Sequence, residues 1–263
     1  MKDILEEIVA HKRKELEMQK SMVPYNMLLG QVSKVMDFSV RRSMSESLSQ
    51  SATGIIAEFK RRSPSKGWIK EEAQPELIIP SYEKNGASAL SILTDRQYFG
   101  GNIDDVVKAR PLVNIPILRK DFIVDEYQLL QAKIIGADAV LLIAADLTKE
   151  ECKTLAQTAH NLKLETLLEV HSERELEYVG DNIDMVGVNN RNLGTFHTDV
   201  ENSFRLAEQL PNDYVLVSES GISNPETIRQ LREAGYRGFL IGETFMKTDD
   251  PGSTLNLFVN ALQ

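Results

Sequence analysis

The chain has 263 residues, 42% of them hydrophobic and 26% charged, with a formal net charge of −9. So acidic a chain argues against nucleic acid and anionic membranes as partners, and no apolar stretch reaches the roughly 18 residues of a membrane span. A single cysteine, Cys152, excludes an internal disulfide and a cysteine-based zinc site; with a charged N-terminus that lacks a secretory apolar core, the expected compartment is a reducing cytoplasm.

Residues 1–50 stand outside the pattern that follows them. Ile4, Leu5, Ile8 and Val9 make a helical apolar face among charges, and a serine-rich stretch covers 43–51. The expectation is a helical extension packed on the main body, then an irregular segment. From residue 55 onward, eight short apolar runs recur at 55–60, 89–95, 116–122, 139–144, 165–170, 185–190, 215–220 and 238–243. Bounded by turn residues, they read as buried parallel strands. Between them, 3.6-type apolar spacing predicts helices over 77–84, 104–110, 125–135, 148–161, 173–179, 201–209 and 225–234. Gly86, Gly136 and Gly235 follow three of these, where a left-handed C-terminal residue is suited to glycine. Asn224 before Pro225 reads as a cap with proline in the first turn.

Eight strand–helix units can close into a barrel or open into a doubly wound sheet. The open sheet usually carries a glycine fingerprint after its first strand. Here that position holds Arg61-Arg62-Ser63-Pro64-Ser65-Lys66-Gly67, and neither G-x-G-x-x-G nor a P-loop occurs in the chain. The strands also end in polar residues, and a buried unpaired charge would cost several kcal/mol (roughly 2–7 even for a neutral polar group). At the C-terminal ends of barrel strands such groups line a cleft instead. The reading is a single (β/α)8 TIM barrel over 1–263 with an N-terminal helical extension at 1–50.

Side-chain alternation then sorts the strand ends. Glu58 and Lys60 share a face with Ile56 and point into the mouth, as an ion pair or as reactive groups. Lys120 shares the parity of Leu118, and Glu169 that of Leu167, so a lysine and a carboxylate on nearby strands are candidates for acid and base. Asn189 and Arg191 share a face and suit hydroxyl and carboxylate recognition. Glycines after the seventh and eighth strands, with a short helix beginning near Glu243, describe the usual phosphate site of this fold. His11, His160, His171 and His197 have no ligand spacing, and no metal site is expected; His171 reads as structural, and Asp95 and Asp121 as scattered carboxylates.

Several segments together resemble the indole-3-glycerol-phosphate synthase family of tryptophan biosynthesis. They are Ile55-Ile56-Ala57-Glu58-Phe59-Lys60 through Gly67, Leu93-Thr94-Asp95 with Tyr98-Phe99-Gly100-Gly101, Leu118-Arg119-Lys120-Asp121-Phe122, Leu168-Glu169-Val170-His171, Gly187 through Leu193, Ser218-Glu219-Ser220-Gly221-Ile222 and Ile241-Gly242-Glu243. The resemblance covers nearly the whole chain. It departs at Asp146, where the family usually has a small apolar residue, and near 43–48, which lacks the usual aromatic.

The resemblance implies a carboxy-lyase that closes the pyrrole ring of 1-(2-carboxyphenylamino)-1-deoxyribulose 5-phosphate and releases carbon dioxide and water, with no cofactor and no metal. It implies Lys120 as general acid, Glu169 as base of the dehydration, and Lys60 as a lysine that engages the substrate's anionic groups and assists proton transfer. Glu58, Asn189, Arg191, Glu219 and Ser220 match the polar shell. Ser63, Gly221, Gly242 and Glu243 match the phosphate site, and Phe99, Phe122 and Leu193 the apolar contacts around the ring. The expected partner is this small phosphosugar–anthranilate substrate, with no nucleic acid, membrane or fused partner enzyme, and with a monomer or weak homo-oligomer as the assembly. The alternatives are a Schiff-base aldolase or sugar-phosphate isomerase on the same barrel, or a silent phosphosugar-binding protein.

Overall fold

The structure is a computed structural model that describes residues 4–36, 40, 42–192, 194, 197–211 and 213–263. Eight parallel strands close a barrel: β1 (Ile55–Phe59), β2 (Ala89–Leu93), β3 (Ile117–Lys120), β4 (Ala139–Ile143), β5 (Glu165–Val170), β6 (Met185–Asn189), β7 (Val215–Glu219) and β8 (Gly238–Ile241). Each strand pairs with its chain neighbours, and closure comes from β1, which meets β2 at Ile56↔Ala89 and β8 at Ile55↔Phe239. The fold expectation holds.

Strand alternation builds two cores. Ile56, Leu118, Leu141, Leu167, Met185, Val217 and Leu240 fill the barrel interior. Ile55, Ala57, Leu90, Ile92, Val140, Leu142, Leu168, Val186 and Phe239 face outward onto the helices. This period of two is the pleat at work, and the helices cover what would otherwise be an exposed apolar cylinder.

Most predicted helices are present, with local chemistry at their ends. Glu126–Ile135 starts where Asp125 accepts a hydrogen bond from the Tyr127 N–H, and Lys149–Asn161 where Thr148 and Glu151 form a reciprocal capping box. Pro225–Glu233 begins at the Asn224 cap. Seven of the eight strands are shorter than the apolar runs because their last residues leave the ladder. Asp95, for example, caps the turn Arg96–Phe99 through the Tyr98 N–H at 2.8 Å. The segment over 173–179 is a 3-10 helix, Glu173–Tyr178, whose Leu176 and Tyr178 are only partly buried against the core. A terminal helix not anticipated from spacing, Pro251–Leu262, packs Leu255, Phe258 and Val259 on the barrel.

The first fifty residues carry three described helices. Ile4–Met22 lies across the C-terminal mouth, and Tyr25–Met36 follows it. The serine-rich stretch, expected to be irregular, is instead the helix Met44–Gln50. Its Ser43 caps it, Met44 and Leu48 are fully buried in the inner core, and Glu165 at the start of β5 accepts hydrogen bonds from the Met44 and Ser45 N–H groups. A carboxylate at a helix N-terminus is favourable, so this helix plugs the bottom of the barrel. Serines tolerate helix starts well, which is why composition alone misread the segment. No described helix is long and apolar enough to cross a membrane.

Candidate active site

A cavity of about 510 Å³ opens at the C-terminal ends of the strands. Lys120, from β3, extends across it, with its ammonium 3.0 Å from Glu169 Oε2 and 3.3 Å from Glu219 Oε2. Glu169 is the last but one residue of β5 and Glu219 ends β7, so three alternate strands meet at one cation. Asn189, from β6, donates from Nδ2 to Glu169 Oε1 at 3.0 Å, and its own Oδ1 accepts the Arg191 N–H. On the opposite wall Lys60 sits 2.8 Å from Glu58. Glu58, Glu169 and Glu219 are almost fully buried. The inward parity assigned to Glu58, Lys60, Lys120 and Glu169 agrees with these positions; Arg119 turns outward to Thr94, Asp121 and the Gln128 carbonyl.

Burial and charge act against one another here. Burial alone would lower the Lys120 pKa, but Glu169, Glu219 and Glu58 outweigh it and leave the ammonium raised. Burial pushes Glu169 up, whereas Lys120, His171 and the Asn189 hydrogen bond pull it down to about 2. Glu219 goes the other way: burial, with repulsion from Glu169 and Glu58, lifts it to about 7 despite Lys120. Two carboxylates compete for one lysine, so the pair splits into an ionised group and one that shares a proton near neutrality.

One end of the cavity is apolar. Phe99 and Phe122, with ring centroids 6.0 Å apart, stand beside Ile4, Leu5 and Ile8 of the N-terminal helix. The other end is polar and rich in tight backbone. Ser220 and Gly221 both have positive φ, at 69° and 81°. Gly242 leads into the short helix Glu243–Met246, whose first N–H groups have no partner within a helix. Arg191 bridges this end, donating to the Ser65 hydroxyl at 3.2 Å and lying 3.8 Å from Glu243. Ser63, expected at the phosphate, is not among the residues lining the cavity. It pairs with Gly67 in a two-residue ribbon and is 1% exposed, with its hydroxyl buried and without a partner among the described residues, whereas the Ser65 hydroxyl lines the cavity and accepts from Arg191. Leu193 lies outside the described residues. Asp146 ends the turn Ala144–Asp146 and is not among the lining residues.

Glycines make room for these charges. A Cβ at Gly242 would fall 2.3 Å from Glu58 Oε1, and one at Gly187 would fall 2.3 Å from Glu219 Oε1. Sequence reasoning missed Gly187, which carried no turn signal because it lies within β6. It also missed Lys12. That lysine reaches from the N-terminal helix to Asp95 at 3.0 Å and Asp121 at 3.1 Å, with 4% of its side chain exposed. The two scattered carboxylates therefore share one counter-ion. Lys12 sits four residues after Ile8 on the same helical face, a spacing that could have flagged it. His171, read as structural, stands 3.4 Å from Glu169 Oε1.

The chain is similar to known proteins over almost its whole length. The family model described as indole-3-glycerol phosphate synthase matches residues 5–257. An indole-3-glycerol phosphate synthase of Bacteroides thetaiotaomicron is 64% identical over the full length of both chains, and that of a Polaromonas species is 41% identical over 97% of each. Among solved structures, tryptophan synthase subunit alpha from Legionella pneumophila superposes with a TM-score of 0.62 at 14% identity, covering 85% of this chain and 97% of its own. At that identity the likeness establishes the barrel alone. A match across almost every residue of the chain, with a relative at 64% identity, settles the kinship: this chain belongs to the indole-3-glycerol phosphate synthase family.

Proposed function

We infer that this cavity closes the indole ring of 1-(2-carboxyphenylamino)-1-deoxyribulose 5-phosphate, releasing carbon dioxide and then water. The observation that carries the reading is the position of Lys120, charged and 3.0 Å from Glu169, between an aromatic wall and a glycine-rich polar end. The aryl ring would lie against Phe99 and Phe122, and the phosphate against Ser65, Gly221, Gly242 and Glu243. Lys60 and Arg191 supply cations for the substrate's anionic groups.

In the first half, Lys120 donates its proton to the ketone oxygen as the ring carbon bonds to the ketone carbon. Loss of carbon dioxide then returns the electron pair to the ring. In the second half, Lys60 gives a proton to the new hydroxyl, which leaves as water, while Glu169 accepts a proton from the ring CH2 beside the nitrogen and that C–H electron pair becomes the ring double bond. A base already ionised at neutral pH is ready for that step. Glu219, which holds a proton near neutrality, is placed to return one to Lys120. Asn189 orients Glu169. The Schiff-base alternative requires a neutral lysine amine, whereas the two carboxylates raise the Lys120 pKa.

Lys120→Ala and Glu169→Gln test the assignment. Each should lower kcat by roughly 10²–10⁴, with KM changed much less. The lysine variant should accumulate no ring-closed material, and the glutamine variant should dehydrate such material slowly. A folded Lys120→Ala protein with near-normal kcat would remove Lys120 from the role of acid, and Lys60 would be the next candidate.

A further inference from the structure

His171 follows β5 and belongs to none of the steps above. Its Nε2 is 3.4 Å from Glu169 Oε1, and its Nδ1 is 3.4 Å from Glu175 Oε2. The imidazole thus stands between two carboxylates at ion-pair distance, with neither ring nitrogen in hydrogen-bond geometry and 14% of its side chain exposed. Glu175 also accepts the His171 backbone N–H at 2.6 Å and the Ser172 hydroxyl at 3.1 Å, and Asn202 donates to the His171 carbonyl. His171 lines a second cavity of about 590 Å³, together with Arg191, His197, Asp199, Glu201 and Arg205. Glu219 adds a third carboxylate field from β7. Burial opposes a charge on the ring, but the facing carboxylates overcome it and raise its pKa.

The division of Glu169's two oxygens is the informative detail. Lys120 holds Oε2, while Asn189 and His171 hold the Oε1 side. When Lys120 turns to the substrate's ketone oxygen, Glu169 loses its principal cation. We propose that His171 is a positioning residue whose positive charge keeps Glu169 ionised and fixed through Oε1 while Lys120 is engaged with the substrate; the proposal rests on Glu169 being the base. Glu175 in turn keeps the imidazole charged and oriented.

The test compares pH profiles of wild type and His171→Gln, which keeps the bulk but loses the charge. A charge at this distance typically moves a carboxyl by about 1–3 pH units. The acid limb of kcat, which reports the substrate complex, should move up by about one unit or more. The acid limb of kcat/KM should move less, because Lys120 still faces Glu169 in the free enzyme. Above the displaced limb kcat should recover to within a few-fold of wild type, and His171→Lys should restore the limb. A merely structural histidine would lower kcat by one factor at every pH with the limb in place, and that result overturns the proposal. If His171→Gln does not fold, imidazole NMR titration of the wild-type protein decides: His171 should be protonated at pH 7, and a neutral ring there also overturns it. In Glu169→Gln, the His171 midpoint should fall by about one unit. That shift tests the contact itself, whereas near-normal kcat in the same variant would instead remove Glu169 as the base.

Discussion

Removing Lys12 with Lys12→Met should destabilise the protein far beyond what one lysine on an N-terminal helix suggests. Its side chain is 4% exposed, and those of Asp95 and Asp121 are 1% and 2% exposed. Asp121 keeps Arg119 at 3.0 Å and the Thr94 hydroxyl at 2.6 Å, but among the described residues the Asp95 carboxylate retains only the Tyr98 N–H. Breaking one side of a buried ion pair costs about 3–5 kcal/mol because the remaining charge stays buried. Urea unfolding at pH 7 should show a loss of that order. Asp95→Asn added to Lys12→Met should recover part of it, since no uncompensated charge then remains at that site. The pH dependence follows from the signs. Asp121 is held below its ordinary range, since Lys12 and Arg119 outweigh its burial, so its stability is present above about pH 4 and lost as pH falls through the lower folded value. Lys12 is raised, since Asp121, Asp95 and Glu15 outweigh its burial, so its share is present below about pH 10 and lost only above that. The deficit should therefore be flat between about pH 5 and pH 9. KM should rise too, because Ile4, Leu5 and Ile8 on the same helix line the cavity. A loss under about 1 kcal/mol, the scale of an exposed pair, or a double variant worse than the single one, would refute the reasoning.

Other outcomes follow from the same site. Glu219→Gln should raise the unfolding free energy read from urea titration at pH 8 by roughly 1–3 kcal/mol, because the folded carboxyl holds its proton up to about pH 7 and losing it costs stability. At pH 5 wild-type Glu219 is already protonated, so the gap should close, and a gap independent of pH would count against that assignment. Gly242→Ala should displace the Glu58–Lys60 pair, lowering kcat and raising KM together; unchanged kinetics would show that the crowding is relieved elsewhere. Inorganic phosphate should compete with substrate, and the competition should weaken in that variant. Activity should survive exhaustive chelation, and a loss reversed by a divalent cation would contradict a reaction carried by side chains alone.

The barrel was legible because its physics is local. β-branched runs, polar strand ends and glycine-closed helices recur at each unit, and period-two parity correctly sent Lys120 inward and Arg119 outward. Less legible were features set by distant packing. Ser43 to Gln50 has a loop-like composition, yet its helix is fixed by Glu165 more than a hundred residues away. Ser63 and Ser65 are equivalent on paper, and only the ribbon with Gly67 and Trp68 decides which hydroxyl meets Arg191. Lys12 gained its meaning from Asp95 and Asp121 on two other elements, and His171 from a carboxylate on each side. Charge pairing across a barrel mouth leaves no periodic trace in the chain.

The most direct measurement is to incubate the purified chain with 1-(2-carboxyphenylamino)-1-deoxyribulose 5-phosphate and follow the ultraviolet absorbance of the indole product, with carbon dioxide release in parallel. The account predicts indole-3-glycerol phosphate and carbon dioxide in equal amounts from the wild-type protein, and a rate roughly 10²–10⁴ lower from folded Lys120→Ala. No indole product from a folded wild-type protein, or the same rate from both, would contradict it.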